Sequence, residues 1–361
     1  MESNIQLLLA LTRLGIGHPS GEIPAFKDFQ ALYDIARKQE LQAVVLDAIE
    51  DLRVQEPRRE DLPTRAMMLP WIGGVLRGFE KRYPLYEYVL AGMADFYSKH
   101  GFKMMTFKGY VCCQDWPRPN HRPCGDIDIW LFGKQEEADA VLREKGVPIS
   151  TGHHHHTIFR VGGLVFENHY DFINVNHHRS GQKMEALLKE LAADDSHYMM
   201  VRDKKVYIPS PRLNTLFLLY HTMLHFVSTE MNLRQLLDWG FYVKMHREEI
   251  EWDWLLPILK EYHLTEFFHC MNAILVEDLG FEPALFPSAE ASDLAFKERI
   301  REGILAQNVI KKEPAHFLPR VLFRFRRWKD NNWKRRLCFP DSVWSIFWIG
   351  VKGHLLKPES I

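Results

Sequence analysis

Midway along the chain, Asp126-Ile127-Asp128-Ile129-Trp130-Leu131 alternates acidic and apolar side chains. Successive side chains of a β-strand point to opposite faces, so the segment reads as a strand. Ile127, Ile129 and Leu131 then face a core, and Asp126, Asp128 and Trp130 face the other way. A chain with this segment at its centre must build a sheet around it. Two carboxylates at i and i+2 repel unless a positive partner neutralises them. Mg²⁺ does so, using one or two carboxylates, phosphate oxygens and water. Taken alone, the motif reads more often as a solvated pair of surface acids.

The flanks of this strand are helical. In residues 1–100, Ile5, Leu8 and Leu9, then Phe29, Leu32, Ile35 and Ala36, recur at helical spacing. Leu85, Val89, Leu90, Met93, Phe96 and Tyr97 stripe a helix over 84–100, which Gly101 ends. Residues 101–209 change character. Short apolar runs at 102–107 and 126–132 precede a charged helix over 134–145, with Ala138, Val141 and Leu142 inward. Gly162-Gly163 joins 157–161 to 164–172 as a hairpin, a helix covers 182–193, and 199–202 with 205–208 form a second hairpin. Beyond Pro209 and Pro211, helices cover 213–227, 233–246 and 254–262. The expected fold is α+β: a small mixed sheet with helices over 101–209, between an N-terminal helical region, 1–100, and a C-terminal one, 210–361.

Composition sets bounds on function. With 46% apolar and 26% charged residues and a net charge of −1, the chain buries a large core and carries no molecule-wide attraction to nucleic acid or membrane. The N-terminus lacks a basic segment before its short apolar run, and no stretch reaches the length of a spanning helix. The five cysteines match no zinc-binding spacing and no paired framework. They read as core filler in a reducing cytoplasm.

Other residues gather around the acid pair. Phe107-Lys108-Gly109 ends one apolar run and opens a helix, where backbone amides receive phosphate. Arg122, four residues before Asp126, suits bidentate pairing with phosphate. The strand over 164–172 puts Glu167, His169 and Asp171 on one face. Glu167 or Asp171 would be a third carboxylate beside the pair.

In this order the motifs resemble an uncharacterised bacterial nucleotidyltransferase family of the DNA-polymerase-β superfamily. The resemblance rests on Phe107-Lys108-Gly109, on Arg122 through Asp126-Ile127-Asp128-Ile129, and on Phe166-Glu167-Asn168-His169. It extends to a later helix with His221 or His225, then Arg234 and Asp238, and covers about 102–245. It implies a polymerase-β-like core in which Asp126, Asp128 and Glu167 are catalytic and hold Mg²⁺, two ions in all. Lys108, Gly109, Arg122, Arg234 and Asp238 would surround an NTP such as ATP. His169, Asp171, His221 and His225 would contact substrate or support the acids. The implied reaction moves an NMP group from an NTP to a hydroxyl of an unspecified acceptor and releases pyrophosphate. Lys108-Gly109 stands where the superfamily usually carries Gly-Ser, which favours the rival reading of a degenerate nucleotidyltransferase fold used as a binding module.

Several features carry plainer readings. His153 to His156 read as an exposed loop leading into a strand, with binding of Zn²⁺ or Ni²⁺ as the alternative. His221 and His225 share a helix face but lack the glutamate of the zinc-protease motif. Arg234 and Asp238, at i and i+4, make an ordinary helix salt bridge. A metal-dependent phosphohydrolase needs several histidines at its metal, and the strand histidines read as lying away from the acid pair. The segment Arg320–Arg336 carries eight basic residues and one acid, interleaved with aromatics. With the apolar stretch after it, 320–356 reads as a peripheral membrane contact, a nucleic-acid contact, or a packed helix with a solvated basic face. Oligomeric state has no sequence signal.

Overall fold

The structure, a computed structural model, describes residues 2–153, 155–175, 179–228, 231–288, 290, 293–306, 314 and 316–356. Helices α1 (Glu2–Gly15), α2 (Phe29–Lys38), α3 (Gln42–Gln55), α4 (Arg65–Val75) and α5 (Tyr83–Lys99) precede strand β1 (Met105–Phe107). Then come α6 (Gly109–Cys113), β2 (Asp126–Trp130), α7 (Gln135–Glu144), β3 (His156–Val161), β4 (Leu164–His169), α8 (Arg179–Leu191), β5 (Tyr198–Val201) and β6 (Lys204–Tyr207). The remainder is helical: α9 (Pro211–Ser228), α10 (Leu233–Met245), α11 (Trp252–Glu261), α12 (Thr265–Leu279), α13 (Leu294–Ala306), α14 (Phe317–Asp330), α15 (Asn332–Cys338) and α16 (Val343–Leu356).

The mixed α+β character read from the sequence holds. The sheet has six strands in the order β3-β4-β2-β1-β6-β5. β2 pairs parallel with β4 and antiparallel with β1; β1 pairs parallel with β6. Both hairpins form, β3 with β4 and β5 with β6. Gly162 and Gly163 have φ of +59° and +80°, the left-handed values that a tight two-residue hairpin needs. A Cβ on Gly162 would also stand 2.6 Å from a methyl of Val89 on α5.

The two sheet faces bury different partners. Ile127, Ile129, Leu131, Phe159 and Phe166 pack with Leu90 and Tyr97 of α5 and Ala138 and Leu142 of α7. Val141, expected inward on α7, is only half-buried. The opposite face carries Phe107, Trp130 and Phe172, which join a large helical core. Leu8 and Leu11 of α1, Phe217 of α9, Leu236 of α10 and Leu275 of α12 belong to that same core. Helices from both ends of the chain therefore share one interior. Buried Gln39 ties them further: it accepts from Leu233 N (2.8 Å) and donates to Ile304 O (2.7 Å). Helix α5, inside the stretch read as the N-terminal region, packs on the sheet instead.

In the basic segment, α15 is anchored by Trp333 against Phe226 and Phe296, with Cys338 and Phe339 buried. Phe325, Trp344 and Trp348 stay exposed. Among the described residues, no helix is long and apolar enough to cross a membrane.

Candidate active site

Strand alternation puts Asp126, Asp128 and Trp130 on the face turned toward α9, as the sequence predicts. This face is closed: Asp128 is 2% and Trp130 6% exposed. The parallel register sets Asp128 opposite Glu167 and Trp130 opposite His169. Asn168, between Glu167 and His169, points the other way and donates to Asp139 (2.8 Å).

A lysine and a histidine meet Asp128. Lys108 Nζ lies 2.6 Å from its Oδ1, and His169 Nε2 lies 2.9 Å from the same oxygen. His169 Nδ1 donates to Asp171 O (3.1 Å). Lys108 reaches Asp128 from a strained backbone, φ 56°, at the junction of β1 and α6. Burial alone would raise the Asp128 carboxyl, but Lys108 and His169 hold it well below the ordinary range. Burial would lower His169, and its bonds to Asp128 and Glu167 raise it instead. Glu167 is likewise drawn down against burial, chiefly by His169. Asp126 has no such pairing: burial first, then the charge of Asp128, push it up to about 6. Three crowded acids, one with a raised carboxyl, form a donor set suited to a hard divalent cation. Asp128, Glu167 and His169 already present ligand atoms within 4.8 Å of one another.

Between Glu167 and Asp171, geometry brings only Glu167 to the acid pair. β4 ends at His169, and the Asp171 carboxylate turns to Lys189 on α8. Gly109, with φ of +30°, does not contact the acids through a side chain; it lets α6 lie close to β2, since a Cβ there would stand 3.2 Å from Asp126 O.

His155 and His156 supply a contact that sequence reading missed. Counting from the Gly162-Gly163 turn pairs Val161 with Leu164, and therefore His156 with His169. That register carries His156 and the adjacent His155 to the edge of the acid cluster. His156 is 7% exposed, so the expectation of an exposed loop over 153–156 fails for it; His154 lies outside the described residues. The expectation that strand histidines lie away from the acid pair fails for His169. A residue count along the hairpin would have found both. From α9, His221 and His225 share an Nε2···Nε2 contact of 3.0 Å, and His221 stacks on Phe217. Burial, then the charge of Lys108, lowers both, His225 to about 4.

Arg122, Arg234 and Asp238 form a separate buried network. Arg122 gives Asp238 a bidentate pair (2.7 and 2.8 Å), and Arg234 adds a third bond (2.8 Å). Trp116 Nε1 donates to Asp238 as well (2.9 Å). Arg122 also holds Gly109 O and Pro123 O. The fork expected to grip phosphate is thus occupied by Asp238, and the i, i+4 bridge of Arg234 forms. The network pins α10 to the loop that delivers β2. Tyr86 of α5 holds the same loop through Cys124 O and Gly125 O. All five cysteines are free; Cys113 and Cys124 touch at 3.1 Å beside Arg122.

The family described as "Uncharacterised nucleotidyltransferase" matches residues 26–279, well over half the chain, and the chain belongs to that family. Among solved structures, a crystal structure of an antigenic nucleotidyltransferase-like protein from Paracoccidioides brasiliensis is similar at 14% identity and a TM-score of 0.33, covering 55% of this chain and 95% of that one. No curated protein matches.

Proposed function

We propose that the protein is a Mg²⁺-dependent nucleotidyltransferase that moves an NMP group from an NTP to an acceptor hydroxyl. One observation carries the reading: Asp128 on β2 faces Glu167 on β4 in register, with Asp126 two residues before it on the same face and the Lys108 ammonium bound to Asp128. Family membership supports the reaction class.

Asp126, Asp128 and Glu167 would hold Mg²⁺. When bound, the ion supplies charge stabilisation to the attacking and leaving oxygens. Lys108 keeps Asp128 ionised, and its ammonium turns to the triphosphate once another cation meets the acid. Glu167 takes the proton of the attacking hydroxyl. The new bond joins that oxygen to the α-phosphorus, the bond to the bridging oxygen breaks, and pyrophosphate leaves with the electron pair. α9 packs beside the site, its Phe217 ring 5.8 Å from Lys108 Nζ.

The test is an NTP titration with and without Mg²⁺ on wild type and Asp128→Ala. Wild type is expected to bind NTP only with Mg²⁺, and the variant to lose that dependence. A wild type showing no Mg²⁺-dependent binding removes the proposal.

A further inference from the structure

We infer that His155, His156 and His169, with Glu167, form a second metal site of nitrogen-rich character on the flank of the acid pair, one that takes Zn²⁺ or a similar divalent transition ion. The inference goes beyond nucleotidyl transfer and stands without it.

Three imidazoles converge there. The ring centroids of His155 and His156 are 4.4 Å apart, those of His155 and His169 5.4 Å, and those of His156 and His169 5.1 Å. Their ligand atoms lie within 4.8 Å of one another. Among the described residues, the Nδ1 atoms of His155 and His156 are buried and have no hydrogen-bond partner. Leaving a buried polar atom unsatisfied costs about 1–3 kcal/mol, and here two such atoms share one cluster. Protonating the rings would not relieve this, because neighbouring imidazolium charges repel. A metal ion satisfies several ring nitrogens together.

Glu167 completes the set. Its Oε2 lies 3.7 Å from His156 Nδ1 and 3.5 Å from His169 Nε2. Two ligands about 2.1 Å from a tetrahedral ion stand roughly 3.4 Å apart. These atoms are therefore near the edge length of a zinc tetrahedron before any adjustment. His169 is also oriented as metal-binding histidines are: Nδ1 is fixed on the Asp171 carbonyl, which leaves Nε2 as the ligand atom. Imidazole donors select Zn²⁺, Ni²⁺, Cu²⁺ or Fe²⁺ over Mg²⁺, which prefers oxygen. The two donor sets thus differ in chemistry while sharing Glu167. Ligation by His169 Nε2 replaces its bond to Asp128, so filling this site changes what Asp128 can hold.

The experiment titrates Co²⁺ alone into the metal-free full chain and reads the strong visible absorption of tetrahedral cobalt. Wild type should bind one equivalent, lose the absorption to Zn²⁺ and keep it in excess Mg²⁺. Asp126→Asn, which alters only the acid set, should keep it too. His155→Gln and His156→Gln, confirmed folded by circular dichroism, should each weaken Co²⁺ binding by about tenfold or more, since loss of even an outer partner has that effect. The inference is overturned if wild type shows no tetrahedral absorption, if Mg²⁺ displaces it, or if both histidine variants bind as wild type does. Failure of Mg²⁺-dependent NTP binding alongside intact Co²⁺ binding would remove the nucleotidyl-transfer reading alone.

Discussion

Asp128 is buried between the Lys108 ammonium and the His169 ring. Removing one partner of a buried ion pair costs about 3–5 kcal/mol, whereas replacing both with apolar groups is often neutral. Asp128→Ala should therefore lower stability to urea by about that amount. Asp128→Leu with Lys108→Met should recover much of the loss while binding no Mg²⁺–NTP. If the double variant is no more stable than the single one, Lys108 is not the group left stranded. A second residue-scale prediction concerns pH. His225 is held at about 4 in the fold and titrates near 6.5 when unfolded. Between those values the unfolded chain binds the extra proton, so stability rises with pH across this window. His225→Gln should flatten the pH dependence of the melting temperature between about 4 and 6.5, and an unchanged slope would assign it to other groups. The acids at 126 and 128 were legible because alternation alone gives a strand side chain its direction. Lys108 was legible as a residue near phosphate, but not as the partner of Asp128, because its reach depends on a positive-φ backbone that local sequence does not announce.

At the scale of elements, the β3–β4 hairpin decides which histidines reach the acids. Its two-glycine turn fixes the register, and one residue of slip would send His156 to the opposite face. Gly162→Ala should destabilise the protein by about 1–2 kcal/mol from left-handed backbone strain alone, with more from the contact to Val89. Denaturant unfolding measures this, and a neutral variant would mean that α5 yields. The Arg122–Asp238 network is the other device at this scale. Asp238→Ala would strand the buried Arg122 guanidinium, while Arg234 keeps Glu40, at about 3–5 kcal/mol, and loosen the loop before β2. Chemical denaturation checks the loss, and a change below about 1 kcal/mol, typical of exposed pairs, would show the network to be solvated. The i, i+4 bridge within α10 was readable from spacing. Arg122 meeting Asp238 was not, since it joins positions 116 residues apart.

Across the whole molecule, helices from both termini close over one sheet face and share a core. Leu11 on α1 is fully buried. Leu11→Ala should cost about 2–5 kcal/mol and lower amide protection in α12 along with α1. Hydrogen exchange reads this directly; a loss confined to α1–α3 would show that the N-terminal helices open as a unit of their own. What the sequence alone determined is local: the strand at 126, the hairpin at the paired glycines, the helical stripes and the order of motifs that marks the family. Each follows from the period of side chains along a few residues of backbone. What only the tertiary structure decided is which of these meet. Glu167 rather than Asp171 faces the acid pair because β4 ends two residues too soon for Asp171 and α8 offers it Lys189. Arg122 faces Asp238 because packing brings together groups whose separation along the chain carries no information about their distance in space.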